Sequence, residues 1–571
     1  MKRMMLIATS AVFLGCVCAS LTASAADGLQ GRYYAAKSGR DAVQALTAAK
    51  PALERVEAVD LDWGKNSQAR PSQNFLAQWQ GCVEASADGE YVFRVEASGA
   101  ARVVLDGQMV VDVWSRAIST TADSLPMRLQ KGKRYAVIVE HMNPEPREGR
   151  KESYIRLLWR TPGASEFTVV PAPALSPEWP PPRDAAQAAA PTFQPPAATI
   201  SRPTQVYLAT ATPDALIRYT TDNSIPTLLH GDIATPGGIA LFTGGGYQGD
   251  VTLTARAFKP GLADSPAATA AYHPGKSELK KGLVTFHTGN SLMDTVVNGT
   301  LQTLTLSAGI DHKVLKATVP GAPTDFLWGA FNKDASKPPL VWLQEKAPVD
   351  CLITQPFAGH GRSVENEAEH SGKFFEACRK HSPKAQLWIY QQWSNRQFDD
   401  PWAKGTLALG KDLNRWAAVK LQEGETKGDR GWQAECLIRQ PAKTYDAAVA
   451  NHRRYFEILR EELRKKYPDQ RVPVIPGGQA LAALKQEIEA GKVPGMRDFF
   501  NDIYADGIHL SPAGHYLIGL VFMSSLYQQS FEGKVTEAGS GLTPEQAKIF
   551  QRIAWEAVSK DPLSGVTLLR K

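Results

Sequence analysis

Near the middle of the 571-residue chain stands the stretch Phe286-His287-Thr288-Gly289-Asn290-Ser291-Leu292-Met293-Asp294. An apolar run of β type, residues 283–286, ends abruptly at the Gly-Asn-Ser turn, and a segment with helical spacing follows. This pattern predicts that Ser291 lies at the carboxyl end of a strand and in the first turn of a helix. Open α/β sheets bind ligands at that edge. A serine there can attack a carbonyl while its own N–H helps to hold the resulting oxyanion.

The same residues also have a purely structural interpretation. Ser291 and Asp294 fit the capping box Ser/Thr-x-x-Asp/Glu, in which the serine only caps a helix. A second motif favours catalysis: Asp506 stands three residues before His509, just ahead of a predicted helix that has Ser511 as its cap and Pro512 at its first position. A carboxylate so close to a histidine can orient a general base, although a turn with a surface histidine is the alternative.

Residues from Lys280 to the C-terminus resemble an SGNH (GDSL-type) hydrolase. The first family block is matched by Gly289-Asn290-Ser291-Leu292, with Asn290 where Asp is commoner, and the last block, Asp-x-x-His, by Asp506 and His509. The resemblance implies a flavodoxin-like α/β/α sandwich and a serine esterase mechanism. The alternation of strands and helices independently predicts a doubly wound sheet. The predicted strands are residues 283–286, 313–317, 351–354, 386–390 and 472–475.

The residues of the family blocks have expected catalytic roles. Ser291 is the predicted nucleophile, His509 its base and Asp506 the group that orients the base. The expected oxyanion donors are the N–H of Ser291 and the N–H of Gly321, which follows the second strand, although Pro320-Gly321 also reads as a simple turn. The third family block, Gly-x-Asn-Asp, is absent. Gln355 or Asn366 is therefore the candidate for a third donor.

Three further residues are candidates for substrate binding: His287, Asn290 and Trp393. A buried structural histidine is the alternative for His287, and the tryptophans of the inserts 355–371 and 393–442 either stack on sugar rings or pack the inserts. We expect no cofactor and no metal, because no carboxylate stands at ligand spacing with the histidines.

The first half of the chain reads as two β domains. Residues 26–177 contain short alternating runs and an Asp106-Gly107 hairpin turn. They resemble a protective-antigen-type (PA-fourteen) β domain in the segments 28–34, 75–81, 155–159 and 170–171. Members of that family often bind carbohydrate. Some of them do so through calcium held by paired aspartates, and this segment has no such pair.

A linker rich in proline and alanine is predicted at residues 178–190. Residues 191–274 resemble a chitobiase C-terminal-type domain in the hairpin 217–227 and in the strand 255–261. This resemblance implies an immunoglobulin-like sandwich that serves as a spacer or a weak glycan-binding module. Residues 275–571 form the predicted hydrolase domain, so the expected fold class is two all-β domains followed by an α/β/α domain.

Residues 1–25 read as a secretory signal peptide, with Lys2 and Arg3 before an apolar run and Ala23-Ser24-Ala25 at the cleavage site. We therefore expect a secreted or periplasmic protein, and Leu14-Gly15-Cys16 leaves lipoprotein anchoring as an alternative. No later segment is apolar enough to cross a membrane. The net charge of +6 gives no indication of a nucleic-acid partner. Cys378 and Cys436 are the candidate disulfide pair.

The sequence thus predicts a secreted serine esterase that removes O-acetyl groups from polysaccharides or oligosaccharides. The choice of carbohydrate comes from the accompanying β domains and is a weaker inference than the choice of nucleophile. Two alternatives stay open: a non-catalytic glycan-binding or surface protein with a degenerate hydrolase domain, and a lipase or esterase for acyl chains. The sequence does not indicate an oligomeric state.

Overall fold

The structure is a computed structural model. It describes residues 27–36, 43–64, 74–114, 120–143, 153–180, 186–242, 249–276, 278–332, 343, 346–357, 364–396, 444–537 and 539–566. The predicted signal peptide, part of the predicted linker and the insert residues Trp402, Trp416, Trp432 and Cys436 lie outside these ranges.

The N-terminal β domain consists of two antiparallel sheets packed face to face. One sheet has the order β2-β1-β4-β10-β6-β7 with β13 added to β4, and the other has β12-β11-β5-β8 with β3 on β11 and β9 on β5. Their inner faces bury the large rings Tyr33, Trp63, Trp79, Phe93 and Trp159 in one core. The strands are β1 (Leu29–Ala35), β2 (Leu53–Glu57), β3 (Asp60–Asp62), β4 (Phe75–Glu84), β5 (Gly89–Ala97), β6 (Ala100–Leu105), β7 (Gln108–Asp112), β8 (Thr120–Asp123), β9 (Met127–Leu129), β10 (Arg134–Asn143), β11 (Tyr154–Arg160), β12 (Thr168–Val169) and β13 (Leu175–Ser176), with a short helix α1 (Val43–Ala48) after β1.

The second β domain is a smaller two-sheet sandwich, which agrees with the predicted all-β architecture. Its sheets have the orders β14-β16-β19 and β15-β21-β20-β17-β18. Val206, Leu241, Leu253 and Tyr272 meet between them without exposure to solvent. The strands are β14 (Thr192–Gln194), β15 (Ala198–Ile200), β16 (Thr204–Ala209), β17 (Leu216–Thr220), β18 (Asp232–Ile233), β19 (Ile239–Leu241), β20 (Val251–Phe258) and β21 (Ala268–Pro274).

The third domain is built on a parallel sheet, and all five predicted strands are confirmed. They are β22 (Lys280–Gly289), β23 (Ile310–Thr318), β24 (Cys351–Thr354), β25 (Gln386–Gln391) and β26 (Val474–Pro476). The sheet order is β23-β22-β24-β25-β26, and every neighbouring pair is parallel. Numbered within the domain, this order is 2-1-3-4-5, as in flavodoxin-like doubly wound sheets, in which ligands bind at the carboxyl ends of the strands.

Helices cover both faces of this sheet, so the domain has three layers. Alternate residues of β22 face opposite sides: Phe286 packs near Phe374 on one face, and His287 stacks on Phe522 on the other. The helices are α2 (Ser291–Val297), α3 (Thr300–Ser307), α4 (Thr324–Asn332), α5 (Val364–His381), α6 (Tyr445–Lys466), α7 (Gly477–Glu489), α8 (Phe499–Ile503), α9 (Pro512–Tyr527) and α10 (Pro544–Lys560). No described helix is both long and apolar enough to span a bilayer.

One detail differs from the sequence prediction. The segment of helical spacing that follows the Gly-Asn-Ser turn does not form one helix, because Gly299, whose φ of 109° is left-handed, divides it into α2 and α3. Cys378 is buried, and its candidate disulfide partner Cys436 lies outside the described residues, so that pairing stays a prediction.

The described contacts between the second and third domains lie at the amino edge of the parallel sheet. The second β domain reaches the third through Arg202, which donates to the carbonyl of Ser307 at 3.5 Å, and through Tyr207, which bonds to Glu537. Ser307 ends α3 just before β23 begins, at the amino end of the sheet. Through these residues the second β domain therefore contacts the α/β domain at the sheet edge opposite to Ser291.

Candidate active site

Ser291 is the first residue of α2 and does not cap it. The cap is Asn290, whose side-chain oxygen accepts a hydrogen bond from the N–H of Leu292 at 3.0 Å. Asp294 accepts from the hydroxyl of Thr318 at 2.7 Å instead of turning back to the helix start. The capping-box interpretation of Ser291 is thus wrong, because β22 continues to Gly289, three residues beyond the apolar run, and Asn290 becomes the cap. The hydroxyl of Ser291 is left available for another partner.

That partner is His509, which lies 218 residues further along the chain. Its Nε2 atom is 2.8 Å from the Oγ atom of Ser291, and its Nδ1 atom is 2.8 Å from Oδ2 of Asp506. The side chains of His509 and Asp506 are 41% and 32% exposed, so the group lies at the surface. A hydroxyl bonded to an imidazole that is itself bonded to a carboxylate is the arrangement that can activate an alcohol as a nucleophile.

The loop before α9 fixes the imidazole. Oδ1 of Asp506 accepts hydrogen bonds from the N–H groups of Ile508 at 2.9 Å and His509 at 2.7 Å, which leaves Oδ2 for the ring. The carbonyl of Ile508 accepts from Nε1 of Trp393 at 2.6 Å, and that of Gly507 accepts from the N–H of Arg396 at 2.9 Å. The segment after β25 therefore supports the loop from outside.

The contact between His509 and Asp506 shifts the pKa values of both side chains. The hydrogen bond that His509 donates to Asp506 raises the pKa of His509 above its ordinary 6.5, against a smaller lowering by burial. Burial alone would raise the pKa of Asp506, but hydrogen bonds from His509 and from two backbone N–H groups hold it below its ordinary value. Burial and the nearby His509 lower the pKa of His515 to about 4, so this second histidine stays neutral.

Three amide side chains line the carboxyl edge of the sheet, one directly after each of three adjacent strands. Asn290 follows β22, Gln355 follows β24 and Gln392 follows β25. Nε2 of Gln355 donates to Oδ1 of Asn290 at 2.9 Å and to Oε1 of Gln392 at 2.6 Å. Its own Oε1 accepts from the N–H of Asn290 at 3.1 Å. The sequence interpretation missed Gln392, and the repeated amide after a buried strand is the signal that could have found it.

These bonds contradict the prediction that Gln355 is an oxyanion donor. Both N–H groups of its amide are already engaged, and the residue is 2% exposed. Its visible role is to hold Asn290. The other candidate, Asn366, lies in the first turn of α5.

Gly321 occupies the turn after β23. Its φ of 71° and the hydrogen bond from the N–H of Ala322 to the carbonyl of Val319 at 3.1 Å are those of a Pro-Gly turn. Gly321 is exposed, and a side chain added there would meet nothing within 4 Å. The turn interpretation therefore holds, and the role of the Gly321 N–H stays a prediction.

His287 and Trp393 are fully buried, which contradicts their assignment to substrate binding. Nε2 of His287 is 2.8 Å from the hydroxyl of Thr285, and burial lowers the pKa of the ring to about 3. Trp393 supports the His509 loop. In the part of the chain that the structure describes, no group of three or more His, Cys, Asp or Glu residues could hold a metal ion.

Comparison with known proteins identifies the first domain. Residues 26–172 match the PA14 domain family, which confirms the protective-antigen-type prediction for this part. The anti-sigma-I factor RsgI3 of Acetivibrio thermocellus is 26% identical over 106 residues, or 18% of this chain. The chain covers only 16% of the length of that relative.

Solved structures show weaker likenesses. An anti-sigma factor domain-containing protein from Clostridium clariflavum is 26% identical, with a TM-score of 0.23, and the match covers 27% of this chain and 49% of that one. A PA14 sugar-binding domain from an RTX adhesin is 19% identical, with a TM-score of 0.23 and coverages of 27% and 100%. A DUF4886 family protein from Bacteroides uniformis is 13% identical, with a TM-score of 0.32 and coverages of 49% and 95%.

Proposed function

We propose that this protein is a serine esterase that acts on acylated carbohydrates, with O-acetyl groups as the acyl groups removed. One observation carries the proposal: the hydroxyl of Ser291, the imidazole of His509 and the carboxylate of Asp506 form a continuous chain of two 2.8 Å contacts. Residues from opposite ends of one domain are brought together at the ligand-binding edge of a doubly wound sheet.

In the proposed reaction, Oγ of Ser291 forms a bond to the ester carbonyl carbon, and its proton passes to Nε2 of His509. The carbonyl π electrons move to oxygen and give a tetrahedral oxyanion. When this intermediate collapses, the bond to the alcohol breaks, and the departing oxygen takes the proton from His509. Water then attacks the acyl carbon while the same ring takes its proton. The bond to Oγ breaks, the ring returns the proton to Oγ, and the acid leaves. Asp506 stabilises the imidazolium and fixes its tautomer throughout.

The oxyanion needs fixed hydrogen-bond donors. The N–H of Ser291 is suited to this role, because the first N–H groups of a helix have no partner within it. The N–H of Gly321 is the second proposed donor, since the turn that carries it follows β23, the strand beside β22.

Two features favour a carbohydrate ester over a lipid ester. The chain carries a PA14 domain, a type that often binds carbohydrate, in front of the α/β domain. The Ser291–His509–Asp506 group also lies at the surface and partly exposed, which allows a bulky polymer to approach. A glycan-binding role for the first domain is part of the same proposal.

Labelling with a fluorophosphonate probe tests the nucleophile. The full chain should be labelled and Ser291→Ala should not be, while Ser307→Ala, a serine at the other end of the same helical pair, should be labelled normally. If the wild-type protein is not labelled, it is a binding protein with an inactive hydrolase-like domain. Acetate release from acetylated xylan, compared with the hydrolysis of long-chain acyl esters, tests the substrate class. Preference for the long chains would overturn the carbohydrate assignment.

A further inference from the structure

We propose that the side-chain amide of Asn290 donates a hydrogen bond, through Nδ2, to the oxyanion formed at Ser291. The inference rests on the proposed esterase function and adds a residue to it. Asn290 immediately precedes Ser291 and is 3% exposed, so its side chain is almost completely enclosed next to the nucleophile.

The orientation of this amide is determined by its surroundings. Oδ1 accepts two hydrogen bonds, from the N–H of Leu292 at 3.0 Å and from Nε2 of Gln355 at 2.9 Å. Rotating the amide by 180° would place its NH2 group against both donors and lose both bonds. The oxygen of Asn290 therefore faces α2 and Gln355, and the nitrogen faces the other way.

The nitrogen has no protein partner. Nδ2 of Asn290 makes no hydrogen bond to any residue that the structure describes, although the residue is almost entirely buried. It is not one of the fully enclosed polar atoms that lack a partner, so it reaches solvent through the small exposed part of the side chain. An N–H donor that no described protein group uses, and that reaches solvent next to Ser291, is available to a bound group.

The supports of Asn290 are rigid. The N–H of Gln355 donates to the carbonyl of Thr288 at 2.9 Å, and its side chain is bonded to both Asn290 and Gln392. Gln355 packs so closely on Gly289 that a Cβ there would lie 2.5 Å from its Oε1. A donor held in this way needs no reorganisation when charge develops, which is the condition for strong stabilisation of an oxyanion.

The position also suits the chemistry. The cap places the amide of Asn290 against the first turn of α2, where Ser291 contributes both its hydroxyl and its N–H. A neutral N–H donor beside the attacked carbonyl stabilises the new negative charge without changing the protonation of His509. Asn290 would therefore be a catalytic residue in the strict sense, because it would touch the reacting oxygen.

Two variants separate this role from helix capping. Asn290→Asp keeps an oxygen for Leu292 and Gln355 but has no N–H to donate, whereas Asn290→Ala loses both the cap and the donor. We expect kcat for 4-nitrophenyl acetate to fall about 100-fold or more in both variants, with KM little changed. The melting temperature should fall clearly only in Asn290→Ala. Asn298→Asp, at the other end of α2, is the matched control and should keep the wild-type kcat.

The added carboxylate of Asn290→Asp will raise the pKa of His509, so kcat is compared on the alkaline plateau of each pH profile. If Asn290→Asp is folded and keeps the wild-type plateau, the amide has no part in the reaction. If KM rises and kcat does not fall, Nδ2 binds another atom of the substrate, and the oxyanion assignment is wrong. If the wild-type chain itself hydrolyses no ester and is not labelled at Ser291, the proposed function fails before this inference is reached.

Discussion

At the scale of single residues, Asp506 divides its two oxygens between two tasks. Oδ1 holds the turn through the N–H groups of Ile508 and His509, and Oδ2 meets the imidazole. An asparagine can keep the turn, but its NH2 group would face Nδ1 of His509 and impose the wrong tautomer. We expect Asp506→Asn to lower kcat by about 100- to 10,000-fold with little loss of stability. Ester hydrolysis and thermal melting measure the two effects, with Asp498→Asn as control because asparagine caps α8 equally well. Equal activities of the two variants would contradict the assignment.

The pH profile follows from the raised pKa of His509. The reaction needs the neutral ring, so kcat/KM should rise with pH and level off above an apparent pKa higher than the ordinary 6.5. The bond between His509 and Asp506 stabilises the fold most below the unfolded pKa of histidine, and this contribution is lost as pH rises through the folded value. In Asp506→Asn the acid limb should move to lower pH. Values of kcat/KM measured from about pH 4 to 10 test this prediction. If the fall of kcat/KM at low pH is at the same pH in Asp506→Asn as in the wild type, a group other than His509 causes it.

Motif and residue chemistry predicted Ser291, Asp506 and His509 as a set, because catalytic residue types recur at defined points of a fold. The same reasoning wrongly predicted Gln355 as an oxyanion donor and His287 and Trp393 as substrate-binding residues. The direction of an amide, or the face of a strand on which a histidine lies, depends on neighbours distant in sequence. Gln355, for example, bonds to Gln392, 37 residues away.

At the scale of elements, the His509 loop depends on the segment that follows β25. Nε1 of Trp393 donates to the carbonyl of Ile508 at 2.6 Å. Trp393→Phe keeps most of the buried ring but removes this donor, so we expect a loss of about 0.5–1.5 kcal/mol in stability. A displaced imidazole should also lower kcat about 10-fold. Trp388→Phe, on β25 itself, leaves the bond to Ile508 in place and serves as the control. If both variants lose activity equally, the loss comes from the core and not from the loop.

The end of β22 is equally constrained. A Cβ on Gly289 would lie 2.5 Å from Oε1 of Gln355 and 2.8 Å from Cβ of Met293. Gly289→Ala should therefore lower the free energy of unfolding by about 1–3 kcal/mol. It should also lower kcat, because the added methyl group would displace the amide of Gln355 and with it that of Asn290. Gly329→Ala, in α4 with nothing within 4 Å, should be neutral or slightly stabilising. Thermal melting and ester hydrolysis of the two glycine variants test this prediction. A fully active Gly289→Ala would show that the site tolerates displacement of these amides.

The elements themselves were largely predictable, since apolar runs and helical spacing gave all five parallel strands. The failure of the capping-box interpretation of Ser291 has a physical cause. Asn290 and Ser291 are both good capping residues, and the choice between them depends on how far β22 stays paired with β23, which extends to Gly289. The division of the helical segment at Gly299 depends on the left-handed φ of 109° at that residue, which the sequence does not give, although Asn-Gly pairs are typical of turns.

At the scale of the whole molecule, the order of the domains was readable from the sequence, but their contacts were not. Arg102 and Glu140 lie in the first β domain and Arg218 in the second. Glu140 bonds to Nε of Arg102 at 2.6 Å and to Nη2 of Arg218 at 2.7 Å, and all three side chains are at most 2% exposed. Burial opposes the charge of Glu140, but the two arginines hold its pKa at about 2. This cluster joins the two β domains.

Removing Glu140 tests whether this junction is independent of the site. Glu140→Ala leaves buried Arg218 without a carboxylate partner and Arg102 with Asp232 alone, so the unfolding transition of the β domains should lose about 3–5 kcal/mol. Glu84→Ala breaks only an exposed pair with Arg134 and should cost less than about 1 kcal/mol. In the wild type, the contribution of Glu140 is complete above the unfolded pKa of about 4.5 and is lost as pH falls toward 2. Because the described contacts of the second β domain lie at the edge of the sheet opposite to Ser291, kcat on a small soluble ester should be unchanged in both variants. Calorimetry and ester hydrolysis measure the two predictions, and a fall of kcat in Glu140→Ala alone would mean that the β domains help to shape the site.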